Sequence, residues 1–411
     1  MTFRRMSLAA GLGLTLVAAA CQNDELFTPL TPAYPGGAMF VRYVAMGNSI
    51  TAGFQSGGIN DSTQKQSYVR LLANAMGSPY YYPSFTVPGC PPPIDTLFTA
   101  SGIPHTLGAP LAPPCALRSA SIPPFLTNVA VPGATTFDPF ASGPTVSSNA
   151  LTQFILGGRS QVEAAAAAQP TFVSVSIGYN DVLGAATDTA NAGNAAKVTP
   201  VALFTANYDA MLAALDTVST IKGGILIGVA DVAAIPYFSY GYIYFGAFLG
   251  GQLPDSMTVL PNCAPSPTGI GDTVLVPFRY GFGLIARAQA QVPDTLDCSD
   301  IHNIDQTELA NLHSKVAAYN DTIAARASAR DWAFLDPNVA LAALRADPTQ
   351  FAPFPNTAAT NCWGANAAGK PFGLAFSCDG IHPSAATHRL IAQVLRDSIN
   401  FHYSASIPTV P

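Results

Sequence analysis

Positive charge is scarce in this chain. Of 411 residues only 18 are Lys or Arg, against 24 Asp or Glu, which gives a formal net charge of −6 with 10% charged residues in all. An acidic, lysine-poor surface argues against nucleic acid as a partner. No C-x-x-C pair and no close Cys/His cluster occurs, so a metal site is not expected. Long unbroken apolar runs are lacking as well. Met6 to Ala20 is too short to span a bilayer, and the aromatic run that begins near Ala233 is broken by glycines and ends in Pro254. Internal repeats of solenoid length are absent. What the chain does have is a 49% hydrophobic content, enough to bury a large core, so a globular protein of one large domain with insertions, or of two domains, is expected.

The first twenty residues stand apart. Arg4 and Arg5 precede the apolar run, which ends in Ala18-Ala19-Ala20 before Cys21, the layout of an export signal. Cys21 directly after the small-residue site resembles a bacterial lipoprotein signal, although Ala18 stands where leucine is usual. An ordinary secreted protein with an incidental Cys21 is the alternative. Removing residues 1–20 takes away two arginines and no acids, moving the net charge from −6 to −8. Six cysteines remain, at 90, 115, 263, 298, 362 and 378. An even set in an exported chain reads as disulfides. Grouping in three close pairs makes Cys90–Cys115, Cys263–Cys298 and Cys362–Cys378 the simplest connectivity.

Strand and helix patterns alternate along the rest. After a Pro/Gly tether over 21–39 comes the strand Phe40–Gly47, then a helical face in KQSYVRLLANAM with Tyr68, Leu71, Leu72 and Ala75. YYYPSFTV reads as a second strand that Pro83 confines to an edge. NVAVPGATTFD gives a brief strand, and TFVSVSIGYND a continuous apolar one of the kind buried on both faces. GGILIGVAD and WAFLDP are further strands, each preceded by a helix, and the last helix starts near Ser384 with Leu390, Ile391, Val394 and Leu395 inward. Such alternation means a parallel sheet covered by helices on both faces. Long insertions interrupt it at about 88–127, proline-rich, and 235–300, aromatic and glycine-rich.

In an open parallel sheet the chemistry gathers at the carboxyl ends of strands. YVAMGNSITAGFQSGG places Ser49 at such an end, either as a nucleophile or as a helix cap. SIGYND closes the most apolar strand with Gly178, Asn180 and Asp181, and CDGIHPS sets Asp379 and His382 three residues apart before the terminal helix. Gly-Asn-Ser-Ile near the start, Gly133 in NVAVPGAT, Gly-x-Asn-Asp in the middle and Asp-x-x-His-Pro near the end resemble, in order, the four blocks of the SGNH hydrolase superfamily, also called GDSL lipases and esterases. The resemblance covers roughly residues 40–400.

It implies a flavodoxin-like three-layer α/β/α sandwich with a parallel sheet of about five strands and long loop insertions, forming one domain over 40–403 with a tail at 404–411. It also implies a carboxylic ester hydrolase without metal or cofactor. Ser49 would be the nucleophile, His382 the general base and Asp379 its orienting acid. The backbone amides of Ser49 and Gly133 and the side chain of Asn180 would hold the oxyanion. The family's first block usually reads Gly-Asp-Ser, and here Asn48 replaces the aspartate, keeping the acceptor oxygen and losing the charge. Asp181 is read as structural, and His105, His302, His313, His388 and His402 as surface or satisfied residues.

The aromatic excursion is either a cap that packs on the body or an apolar wall over the active cleft. The second reading favours esters with an apolar acyl chain; sugar and cell-wall acetyl esters stay open. A non-catalytic surface-binding lipoprotein on the same fold is the rival from another class. A monomer is expected, tethered to a membrane through lipidated Cys21 or else secreted.

Overall fold

The computed structural model describes residues 36–99, 103–108, 116, 124–140, 149–354, 362 and 370–410. Four runs form the central sheet: β1 (Tyr43–Gly47), β2 (Phe172–Ser176), β3 (Gly223–Ile227) and β4 (Ala333–Leu335). They lie side by side in that order and pair in parallel, Tyr43 opposite Phe172, Phe172 opposite Gly223, and Ala333 opposite Ile225. Every residue of β1, β2 and β3 is buried, as strands covered on both faces must be.

The fifth place in the sheet is held by residues 127–131, bridged to β1 rather than forming a full strand. Ala45 N donates to Thr127 O at 2.8 Å, Val129 N to Ala45 O at 3.0 Å and Val131 N to Gly47 O at 3.1 Å. Pro132 and Gly133 then stop the ladder, so the sheet has four strands where about five were expected. The spatial order is 127–131, β1, β2, β3, β4. The chain thus leaves β1 on one side and returns on the other, which puts a topological switch between β1 and β2. YYYPSFTV, expected to form an edge strand, contains none. Its Tyr81 carbonyl instead accepts from Thr127 N and Asn128 N, and Pro83 has no donor to offer a ladder.

The helices that matter for the site are α1 (Ser49–Ala52), α2 (Tyr68–Met76), α3 (Gln161–Ala168), α4 (Asn180–Ala186), α5 (Val201–Asp216), α6 (Gly241–Leu249), α7 (Phe278–Gln289), α8 (Gln306–Ser328), α9 (Pro337–Ala346) and α10 (Ala385–Tyr403). Their starts follow from local chemistry. Ser160 with Glu163 and Asp305 with Glu308 close capping boxes at α3 and α8, and Ser384 Oγ accepts from Thr387 N at α10. Alternation along the strands sends Val44, Met46, Val173 and Val175 to one face, against Val162 of α3, Phe204 and Tyr208 of α5 and Leu312 of α8. Tyr43, Ala45, Phe172 and Ile225 go to the other face, against Leu72 and Met76 of α2 and Leu395 and Ile399 of α10. The result is three layers. Each such fully buried large side chain contributes roughly 1.5–3 kcal/mol.

The 235–300 excursion builds its own small core around Tyr244, Met257, Val276, Leu284 and Leu296. Two short ladders frame it, Phe238–Tyr240 antiparallel to Leu275–Pro277 and Met257–Val259 parallel to Asp294–Leu296. Cys263 and Cys298, 35 residues apart, are disulfide-bonded across it. Cys362 and Cys378 are likewise bonded, with Cα atoms 5.5 Å apart. The expected partner of Cys90, Cys115, lies outside the described residues, as do the export segment 1–20, Cys21 and most of the tether.

Candidate active site

β1 ends at Gly47, which is held from the side by Gln161: its Oε1 accepts from Gly47 N at 2.9 Å and its Nε2 donates to Gly47 O at 3.0 Å. Asn48 then turns the chain. Its Oδ1 accepts from Ile50 N at 3.1 Å and caps α1, so Ser49 becomes the first residue of a one-turn helix at the carboxyl edge of the sheet. The turn closes at Gly53, whose φ of 92° lies in the left-handed region.

The loop 377–383 brings the other two groups. His382 Nε2 lies 2.9 Å from Ser49 Oγ, and His382 Nδ1 lies 2.8 Å from Asp379 Oδ2. Three hundred and thirty-three residues separate serine from histidine in sequence, and the fold alone unites them. Asp379 is densely solvated by protein donors: Oδ1 accepts from Ile381 N at 2.9 Å, His382 N at 2.8 Å and Ser377 Oγ at 3.0 Å, and Oδ2 also accepts from Gly57 N at 2.6 Å. Burial pushes its carboxyl upward, but the His382 ring and these donors outweigh burial and hold it down at about 2. Asp379 therefore stays ionised and fixes Nδ1 as the protonated ring nitrogen, leaving Nε2 as the acceptor for the Ser49 hydroxyl. Phe54 packs on the imidazole with ring centroids 4.8 Å apart.

Asn180 opens α4 at the carboxyl end of β2, across the topological switch from Ser49. Its Nδ2 donates to Ala134 O at 2.9 Å, which leaves that amide one further hydrogen. Gly133 sits one residue earlier, with φ 80°. Among the described residues, the amides of Ser49 and Gly133 donate no hydrogen bond. Ser49, Asn180 and His382 line one cavity, whereas Gly133 is outside its lining. Asp181 faces away into a structural role: Thr136 N donates to its Oδ2 at 2.9 Å and Thr136 Oγ1 to its Oδ1 at 2.7 Å. Burial pushes the Asp181 carboxyl up to about 6 despite those bonds.

The cavity has a volume of about 130 Å³. Its walls come from the ends of β3 and β4 (Ile227, Leu335) and from facing sides of α9 (Leu341, Leu344) and α10 (Ile391, Val394). Of the two readings open for the aromatic excursion, packing prevails: it builds a core of its own and contributes Ile235 to the cavity, whose wall comes mainly from α9 and α10. Leu390, expected to be inward, is exposed, and Ile391 and Val394, expected there too, are only partly buried; Leu395, as expected, fills the core with Ala392 and Ile399. The α10 sequence carries more apolar surface than one packing face needs, and that surplus was the available signal. Gly57, Ser377 and Gln161 were missed altogether, because no motif marks a residue that acts through a backbone amide or on one.

Four of the remaining histidines pair with carboxylates, and His388 is satisfied only at Nδ1, its buried Nε2 having no partner among the described residues. His105 pairs with Asp95, His302 with Asp300, His313 with Asp231 and His402 with Asp331. His388 is fully buried under the site; its Nδ1 accepts from Tyr68 N at 3.3 Å, and burial pushes its pKa down to about 3.

A three-layer α/β/α sandwich with these groups on the switch-point edge defines the class of the protein, a carboxylic ester hydrolase. The chain belongs to the family of GDSL-like lipases/acylhydrolases, whose model matches residues 43–395. No curated protein matches it. Similar solved structures include an acetylxylan esterase from Geobacillus stearothermophilus, with 14% identity, a TM-score of 0.37, and coverage of 90% of this chain and 97% of that one. Another is an extracellular lipase from Streptomyces rimosus, with 14% identity, a TM-score of 0.37, and coverage of 87% and 99%.

Proposed function

We propose that this hydrolase cleaves carboxylic esters carrying an apolar acyl chain through Ser49, His382 and Asp379. The observation that carries the reading is the continuous hydrogen-bonded chain from Ser49 Oγ through both ring nitrogens of His382 to a carboxylate held at about 2, opening onto an apolar cavity. Ser49 Oγ attacks the ester carbonyl carbon while its proton passes to His382 Nε2. The tetrahedral intermediate expels the alkoxide, which takes that proton and leaves as the alcohol. Water then repeats the sequence on the acyl-enzyme and releases the carboxylic acid and free Ser49. Asp379 supports the imidazolium that forms in each half.

Negative charge grows on the carbonyl oxygen in both tetrahedral states. The amides of Ser49 and Gly133 and the second hydrogen of Asn180 Nδ2 are the donors in this reading, none of them committed elsewhere among the described residues. The cavity between α9 and α10 takes the acyl chain, since an apolar wall rewards methylenes and gives a sugar hydroxyl nothing to bond. Disulfides fit an oxidising compartment, and the proposal extends to lipidation at Cys21 as the membrane tether.

A fluorophosphonate probe should label the wild type at Ser49 and leave Ser49→Ala unmodified; a binding protein on this fold would stay unlabelled. Rates on p-nitrophenyl esters from acetyl to palmitoyl should rise beyond acetyl. A maximum at acetyl would favour the acetylesterase alternative.

A further inference from the structure

The outer ladder of β1 is completed by a side chain. Along that edge Ala45 N donates to Thr127 O, while Val129 N and Val131 N donate to Ala45 O and Gly47 O. In a parallel ladder the next donor, Gly47 N, would go to Val129 O. It goes instead to Gln161 Oε1 at 2.9 Å, and Gln161 Nε2 returns a bond to Gly47 O at 3.0 Å. A carboxamide suits this place because it carries an acceptor and a donor side by side, enough for both backbone groups of one strand residue. Gln161 is only 1% exposed and lies outside the cavity lining.

This clamp bears on two parts of the site. Gly47 has no room for a side chain, since a Cβ there would meet Thr51 Oγ1 at 2.1 Å and Thr51 Cβ at 2.5 Å. The single turn of α1 therefore rests on the Gly47 backbone, and a tilt of Gly47 passes to Ser49, the first residue of that turn. On the other side Val162, next to Gln161 in α3, donates its amide to Pro139 O at 2.9 Å, in the loop that follows Gly133. The first turn of α3 thus joins the end of β1 to the loop that carries the Gly133 amide.

We propose that Gln161 is a positioning residue for the reaction: it sets the direction of Ser49 Oγ toward His382 and the spacing between the Ser49 and Gly133 amides. This rests on the ester-hydrolase reading of Ser49. Misplacing reacting groups by about 1 Å can cost about 100-fold in rate, so a buried clamp two residues from the nucleophile has leverage on kcat.

The test uses the full chain with p-nitrophenyl butyrate, well below the melting temperature. Gln161→Met keeps the length and removes both bonds. Gln161→Glu keeps the acceptor; its carboxyl also restores the donor when protonated and turns a bare oxygen toward Gly47 O when ionised. Burial raises the pKa of such a carboxyl, which brings its titration toward neutral pH. In Q161M, kcat and the rate of fluorophosphonate labelling should each fall about ten-fold or more, with KM within about three-fold of wild type. In Q161E, kcat divided by the wild-type kcat should rise at least five-fold from pH 9 to pH 6, a ratio in which the titration of His382 cancels, while the same ratio for Q161M stays flat. A residue that only stabilised the fold would lower melting and move neither pattern. A kcat within two-fold of wild type in Q161M, or a Q161E ratio independent of pH, overturns the proposal; if one variant fails to fold, the other decides alone. A wild type that neither hydrolyses the ester nor labels would remove the underlying reading and this one together, whereas an active, labelled wild type beside an equally active Q161M removes this one only.

Discussion

Gly57 N donates to Asp379 Oδ2 at 2.6 Å, the same oxygen that faces His382 Nδ1. Two loops more than three hundred residues apart are thereby locked at the point where the acid must be still. Ser377 extends the lock, its Oγ accepting from Ser56 N at 2.8 Å while donating to Asp379 Oδ1 at 3.0 Å. Ser377→Ala removes both bonds and leaves the Ser56 amide bare. A loss of about 1–3 kcal/mol in stability is expected from the unpaired buried donor. Because Asp379 then has one donor fewer, its hold on the His382 tautomer weakens, and kcat should fall by roughly ten-fold with KM little changed. A melting curve together with steady-state kinetics reads both effects, and unchanged kcat would show that the remaining four donors suffice.

Asn180 offers a sharper test of the oxyanion assignment. Its Nδ2 already spends one hydrogen on Ala134 O, which fixes the amide plane before substrate arrives. Asn180→Ala should lower kcat by roughly 10²–10³, equivalent to about 3 kcal/mol in the barrier, with a small effect on KM. Asn180→Asp replaces the donor by an acceptor and should be at least as damaging. If Asn180→Ala kept more than half of the wild-type kcat, the amide would not face the developing charge.

Ala340 of α9 lines the cavity, so a larger side chain there takes space from an acyl chain. An indole at this position would occupy part of the cavity that a long acyl chain would fill. Ala340→Trp should cut activity on octanoyl and longer esters at least ten-fold and spare acetyl and propionyl esters. Equal losses across the chain-length series would mean that acyl chains bind elsewhere.

The residues proposed for the site were legible for a physical reason. Ser49 and Asn180 each follow a strand end directly, and Asp379 and His382 keep a fixed spacing of three within one loop, and such constraints leave motifs. β1 and β2 were equally plain, since burial on both faces demands the apolar runs that YVAMG and FVSVS supply. The edge was not. Residues 127–131 and Tyr80–Val87 are both short, apolar and proline-adjacent, and which of them lies beside β1 depends on where α3 and Gln161 dock, a tertiary matter. The source of the cavity wall stayed open between two readings for the same kind of reason. Aromatic density in the excursion marks a buried core, and only packing decides that this core is its own, sealed by Cys263–Cys298, while the modest leucines of α9 line the cavity.

The Cys362–Cys378 bridge ends one residue before Asp379 and closes a loop of 16 residues. Constraining the unfolded chain in this way is worth about 3 kcal/mol. Cys378 also donates its amide to Ser56 Oγ at 3.1 Å, within the same lock that holds the acid. Replacing both cysteines by serine should therefore lower the melting temperature by several degrees and reduce kcat. Melting without loss of activity at low temperature would separate the two effects and show that the hydrogen bonds alone place Asp379.

Two carboxylates should give the stability of this protein opposite slopes in different pH ranges. Asp181 has a folded pKa of about 6, above its unfolded value near 4, so the folded state binds its proton more tightly. Its contribution favours folding as pH falls from above 6 toward 4, and opposes it at neutral pH. Asp379 has a folded pKa of about 2, below its unfolded value, so its contribution is fully present above about 4 and is lost as pH falls through 2. Asp181→Asn keeps an acceptor for Thr136 and removes the titration. The wild type should thus gain melting temperature between pH 7.5 and 5 relative to Asp181→Asn, and both should collapse together below pH 4. Parallel curves over the upper range would show that Asp181 is ionised in the folded protein at pH 5, with Thr136 solvating the charge well enough to offset its burial.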